Sequence, residues 1–122
     1  MRKKPDIYTL KTRRQFLSVA AAGVKKPMPG LVVQIKAPAE DAEKGIYAGL
    51  TVTKRCGGAV ERNRIKRRLR KVIGEVFPEL GRDRFHYVVI GRKAALKRPY
   101  ELLVQDLKSA LEVLHKRLEK KV

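Results

Sequence analysis

The chain has 122 residues and carries 30 Lys and Arg against 12 Asp and Glu, a formal net charge of +18. That length suits one domain around one core, residues 1–122, and such an excess of positive charge repels itself unless a polyanion relieves it, nucleic acid first and an anionic membrane surface second. No run of about 18 apolar residues exists to cross a bilayer, and the basic start "MRKKPDIYTLKTRR" lacks the apolar stretch of a secretory signal, so a cytoplasmic protein with no membrane partner is expected.

Residues 1–11 read as a basic, flexible tail. In "TRRQF", Thr12 with Gln15 three residues on is a capping box, and Gly23 after "SVAAAG" is a stop, which predicts a helix from about Arg13 to Ala22 with Phe16, Val19 and Ala20 on its buried face. "LVVQIK" and "IYAGLTVTK" alternate with period two and predict strands joined by the polar loop "APAEDAEKG". Leu31, Val33 and Ile35 then face the core, as do Ile46, Ala48, Leu50 and Val52. Val32, Gln34, Lys36, Tyr47, Gly49, Thr51 and Thr53 form a mixed opposite face, which is expected to stay open to solvent or to a ligand.

"AVERNRIKRRLRKV" follows, with seven Arg and Lys in fourteen residues, and Pro78 is the expected end of a helix of four to five turns. Ile65, Leu69, Val72, Ile73 and Val76 fall on one stripe that docks this helix on the sheet. Asn63, Lys66, Arg67 and Arg70 flank the stripe on one side, and Arg64, Arg68 and Lys71 on the other. Like charges at these spacings repel, so a merely solvated helix would interleave Glu; five of the seven are Arg, whose planar fork fits phosphate. "FHYVVIGR" predicts another strand, and Pro99 opens a last helix with Leu103, Leu107, Leu111, Leu114 and Leu118 on its buried face. The single Cys56 allows no intrachain disulfide and no Cys-based zinc site, while His86 and His115 stand apart from the scattered acids, so no catalytic residue and no metal site is expected in this chain.

"TVTKRCGGAVERNRIKRRLRKV" is similar to the signature of the bacterial ribonuclease P protein component, and the resemblance extends to "LKTRRQF", "YVVIGRKAA" and "YELLVQDLKSAL". It implies an α+β fold, a two-layer α/β sandwich of the ribosomal-protein S5 domain 2 kind in αβββαβα order, with a mixed sheet and the basic helix in a left-handed crossover, against the general rule. It also implies that the chain is monomeric when alone and is the protein subunit of an endoribonuclease. Its partners would be a catalytic RNA subunit and precursor tRNA, whose 5′ leader is removed by hydrolysis that depends on Mg2+ held through the RNA.

By position, the RNA-contacting signature falls on Lys54, Arg55, Arg62, Asn63, Arg64, Lys66, Arg67 and Arg70, and the leader cleft on Phe16, Gln34 and Tyr47. Ala20 and Gln34 stand where the family often has an aromatic, so Tyr47 is expected to supply stacking instead; Gly58 stands where Asn is frequent. Two other readings compete: a small basic ribosomal protein that binds ribosomal RNA, and an autonomous nuclease, which the lack of clustered acids and histidines disfavours.

Overall fold

Described over residues 5–120, the computed structural model runs β1 (Ile7–Thr9), α1 (Arg13–Ala21), β2 (Val24–Pro27), β3 (Leu31–Lys36), β4 (Ile46–Thr51), α2 (Ala59–Leu80), β5 (His86–Gly91) and α3 (Tyr100–Glu119). Short 3₁₀ turns occupy Lys54–Cys56 and Lys93–Leu96. The strands form one sheet in the order β1-β4-β5-β3-β2. β1 and β5 run parallel to β4 on either side of it, β3 is antiparallel to β5, and β2 is antiparallel to β3. The expected α+β fold with a mixed sheet is therefore present, and α2 is the crossover between the parallel neighbours β4 and β5.

Alternation sorts the sheet into two faces. Leu31, Val33, Ile35, Ile46, Ala48, Tyr87 and Val89 pack under Ile65, Leu69, Val72, Val76 and Phe77 of α2 and the leucines of α3, forming the main core. Among the described residues the other face carries α1 alone, where Val19 joins Leu10 and Val88 in a second cluster that Phe16, Tyr47 and Ile90 border. Phe16 lies directly over β4 at Gly49, where an added Cβ would sit 2.6 Å from its ring. Only a glycine leaves that approach open. The cap is as expected, with Gln15 N–H donating to Thr12 Oγ1 at 3.2 Å and Thr12 N–H to Gln15 Oε1 at 3.0 Å. Ala20, expected in the core, is exposed.

Near the start of the chain β1 is unexpected, while β2 supplies the third strand that the αβββαβα order requires. Within the supposed tail, residues 1–4 lie outside the described residues, but Ile7–Thr9 form a strand and Leu10 is buried. Pairing with β4 supplies the backbone partners that so short a segment could not find alone. β2 is an edge strand of two lysines, a valine and a terminal proline, a composition suited to an edge that must not template further pairing.

The basic helix also runs past its expected stop, with Pro78 inside its last turn. Proline removes the N–H that would bond the carbonyl of Gly74, and Gly74 is exposed with nothing within 4 Å of where a side chain would project. Water can satisfy that carbonyl, so the helix continues until Gly81, whose N–H donates to Phe77 O at 2.8 Å.

Where α2 ends, His115 of α3 is buried with its Nε2 2.7 Å from the Tyr87 hydroxyl, and the same hydroxyl accepts from Arg82 N–H at 3.0 Å. Burial first, then the Arg82 charge, lowers the His115 pKa from 6.5 to about 4, with Glu119 opposing. The unfolded chain takes up this proton near pH 6.5 while the folded chain holds its imidazole neutral. The stability due to His115 is therefore complete above pH 6.5 and is lost as pH falls toward about 4. Unfolding free energies from denaturant titrations between pH 7 and pH 5 should fall by up to about 1.4 kcal/mol per pH unit in the wild-type chain. The fall should flatten in His115→Gln; an equal slope in both would assign the effect elsewhere.

Candidate nucleic-acid interface

The stripe Ile65, Leu69, Val72 and Val76 fixes the rotation of α2 against the sheet, all four at 1 % exposure or less. Every charged side chain of the N-terminal half must then stand on the flanks or the outer surface. The two flanks have different fates. Arg68 points toward the segment before α3, where its guanidinium donates through Nη1 to the carbonyl of Ala95 and through Nη2 to that of Arg98 at 2.5 Å. Lys71 sits with its ammonium 5.1 Å from the centre of the Tyr100 ring. These two cations hold α2 to the 93–100 segment.

On the remaining surface Asn63, Arg64, Arg67 and Arg70 are exposed, and Arg62 and Lys66 are half-buried beside the stripe. Among the described residues none of these six side chains takes a hydrogen bond or ion pair. Arg62 even has its Nε buried without a partner. Such a set of unpaired donors costs stability through mutual repulsion and returns it only when an anion is bound.

The start of α2 adds to this surface. Gly58 makes no side-chain cap bond, so the first-turn N–H groups stay open at the positive end of the helix dipole. Lys54 and Arg55 are exposed on the turn just before it. Arg55 also lines a hollow of about 470 Å3 with Thr53, Arg92 and Lys93, where Arg92 is braced by donation to Met28 O at 3.0 Å. Arg92 and Lys93 were not expected in the site. They lie far along the chain, and only the adjacency of β4 and β5 brings them to Arg55. Cys56 closes the floor of this region, buried and with its Sγ 3.4 Å from Gly91 O.

On the opposite face, Phe16, Gln34 and Tyr47 share one side of the sheet but do not meet in one cavity. Gln34 is opposite Val88, which is opposite Gly49 under Phe16, so about 10 Å separates Gln34 from the Phe16 site across two strand spacings. Tyr47 lies one row further along. Register places it between Tyr8 and His86: Tyr8 stacks on Tyr47 at 5.3 Å and 25°, and His86 is tilted against Tyr47 at 4.8 Å and 43°. Tyr8 thus covers one face of Tyr47, which stays partly exposed beside the tilted His86 ring. Desolvation, followed by the charge of Lys36, lowers the His86 pKa.

Among the described residues no three His, Cys, Asp or Glu side chains lie close enough to hold a metal ion, and no helix is long and apolar enough to cross a membrane.

The fold and the surface define a small α+β protein whose central helix exposes a cationic flank with no partner among the described residues. The sequence model of the family described as Ribonuclease P matches residues 5–115. The ribonuclease P protein component of Paramagnetospirillum magneticum is 47% identical over 106 residues, covering 84% of this chain and 79% of the relative. That of Ruegeria pomeroyi is 42% identical over 110 residues, covering 89% and 87%. The fold matches the ribonuclease P protein of Staphylococcus aureus with a TM-score of 0.70 at 23% identity, covering 87% of this chain and 94% of that one. It matches that of Thermotoga maritima with a TM-score of 0.69 at 23% identity, covering 89% and 96%. The chain belongs to the ribonuclease P protein component family.

The internal use of Arg68 separates it from its neighbours in a measurable way. Arg68→Met removes two bonds from a charged donor to backbone carbonyls and should cost about 2 kcal/mol of stability. It should leave the salt dependence of RNA binding by the folded protein unchanged. A shallower salt dependence in Arg68→Met would mean that this guanidinium contacts phosphate after all.

Proposed function

We propose that this chain is the subunit that binds the catalytic RNA of ribonuclease P through the free flank of α2, with Lys54, Arg55, Arg62, Asn63, Arg64, Lys66, Arg67 and Arg70 as phosphate contacts. Arg92 and Lys93 extend that surface. The observation that carries the reading is a rigid helix whose outward Arg and Lys side chains have no partners among the described residues, while Arg68 and Lys71 at the same density do. The single-stranded 5′ leader of precursor tRNA runs over the other face, along α1 and the Tyr8, Tyr47 and His86 column. The protein contributes binding and orientation. In this reading hydrolysis, with its Mg2+, is the work of the RNA subunit, as the family resemblance implies.

Reconstitution tests this directly. Cleavage of precursor tRNA by the catalytic RNA at low Mg2+ should rise strongly when this chain is added, and the chain alone should not cut. If the chain instead binds ribosomal RNA tightly and leaves precursor cleavage unchanged, the ribosomal-protein reading takes over.

A further inference from the structure

Arg92 is exposed at the hollow beside Arg55, yet the 28–30 segment between β2 and β3 grips it twice: its main-chain N–H donates to Gly30 O at 3.2 Å and its Nη1 to Met28 O at 3.0 Å. That segment is held by Asp106 of α3, whose Oδ2 accepts from Gly30 N–H at 3.0 Å. We propose that Asp106 is a positioning residue for RNA binding: it never meets the RNA, but it fixes the 28–30 segment so that Arg92 is aimed at a phosphate before the RNA arrives. The inference rests on the phosphate reading of Arg55, Arg92 and Lys93 above and adds to it the buried group that organises one contact.

Asp106 sits where the helix pattern calls for an apolar side chain, 3 % exposed on the buried face of α3 with Leu103, Leu107 and Ala110. A carboxylate buried there needs full compensation, and Arg98 supplies it, donating to Oδ2 through Nε at 2.8 Å and to Oδ1 through Nη2 at 3.0 Å. Such a pair adds little stability over an apolar pair of the same volume, so stability alone does not account for it. What an apolar side chain could not do is bond Gly30 N–H. Gly30 is itself buried, and an added Cβ would lie 2.5 Å from Leu103 Cδ2 and 2.9 Å from Asp106 Oδ2. Only a glycine lets the segment come this close to α3.

The bonds run in one line from the interior to the surface. Asp106 fixes Gly30, the carbonyls of Gly30 and Met28 fix the two ends of Arg92, and Met28 N–H donates to Leu31 O at 2.7 Å where β3 pairs with Gly91. Arg98 is tied into the same assembly, its carbonyl accepting from Arg68 Nη2. Among the described residues the Arg92 guanidinium is engaged through Nη1 alone, which leaves the Nε and Nη2 edge free to donate two parallel bonds to one phosphate. A loose arginine gives up its rotamer freedom when it meets that phosphate. A braced one gave it up on folding, a difference of about twofold to tenfold in affinity.

The test measures the affinity of the full chain for the catalytic RNA at several salt concentrations, scaled to folded protein by a melt of each variant. Arg92→Met should weaken binding and make the log-log salt slope shallower by about 0.7 to 0.9. Asp106→Asn should weaken binding by about twofold to tenfold although it removes a negative charge, and should have no further effect when Arg92→Met is already present. Gly30→Ala, which displaces the same segment and keeps the carboxylate, should repeat that pattern. Tighter binding in Asp106→Asn, as charge alone dictates, or wild-type affinity in its folded fraction, as a merely structural role dictates, would overturn the proposal, and so would equal losses with and without Arg92. One readout needs no variant: NMR relaxation of the free wild-type protein should find the Arg92 Nε–H ordered on the ps–ns timescale and those of Arg67 and Arg70 mobile. An equally mobile Arg92 would also overturn it. Unchanged affinity and slope in Arg92→Met would remove Arg92 from the phosphate surface and this inference with it, leaving the contacts of α2 to be judged by their own variants.

Discussion

Replacing Arg62, Arg67 and Arg70 together by Ala is expected to weaken binding to the catalytic RNA by about a hundredfold or more at moderate salt, while the protein stays folded. Each lost phosphate contact returns a counterion to the complex, so the log-log salt slope should become shallower by about 2 to 3 for the three residues. The fold should survive because Arg67 and Arg70 are exposed and none of the three side chains is bonded to a described residue. Exposed substitutions of this kind change stability by roughly half a kcal/mol each. Titration of labelled RNA at several salt concentrations, beside a thermal melt of the free protein, checks both halves. A triple variant that assembles like the wild type would show that the phosphate contacts lie elsewhere.

Leu69→Ala is expected to do the opposite, breaking the fold without touching the charge. Leu69 is fully buried in the stripe and faces the end of β5 at Gly91, where an added Cβ would lie 3.0 Å from Leu69 Cδ1. The truncation leaves a cavity in the contact that sets the rotation of α2, at a cost of about 3 to 5 kcal/mol. Against a total stability of about 5–15 kcal/mol, much of the chain would be unfolded near its melting range. Denaturant titration reads the loss. RNA binding by the remaining folded fraction, measured in the cold, should keep the wild-type salt slope, since all the phosphate contacts are still present. A loss below about 1 kcal/mol would mean that α2 is held chiefly by its flanks.

The contrast between these two substitutions shows which parts of the interface were legible in the sequence. The buried stripe of α2 was, because a helical period is a local property and all of Ile65, Leu69, Val72 and Val76 obey it. The fates of the two basic flanks were not. Arg68 looks like Arg67 in sequence, and only the return of the 93–100 segment from the end of β5 supplies the carbonyls that engage it. The same limit applies to the ring column. Tyr8, Tyr47 and His86 come from three strands whose order β1-β4-β5 is not the chain order, so no spacing pattern announces their contact. β1 was hidden by its brevity within a basic stretch, and the extension of α2 past Pro78 by a bare, solvated Gly74 at the one carbonyl the proline would otherwise strand.

The measurement that bears most directly on the central claim is the affinity of the wild-type chain for the catalytic RNA as a function of monovalent salt. With six to eight of the basic residues around the start of α2 on phosphates, the account predicts a log-log slope of roughly −4 to −7. A slope near zero would contradict it, because a complex that releases no counterions cannot be held by this helix.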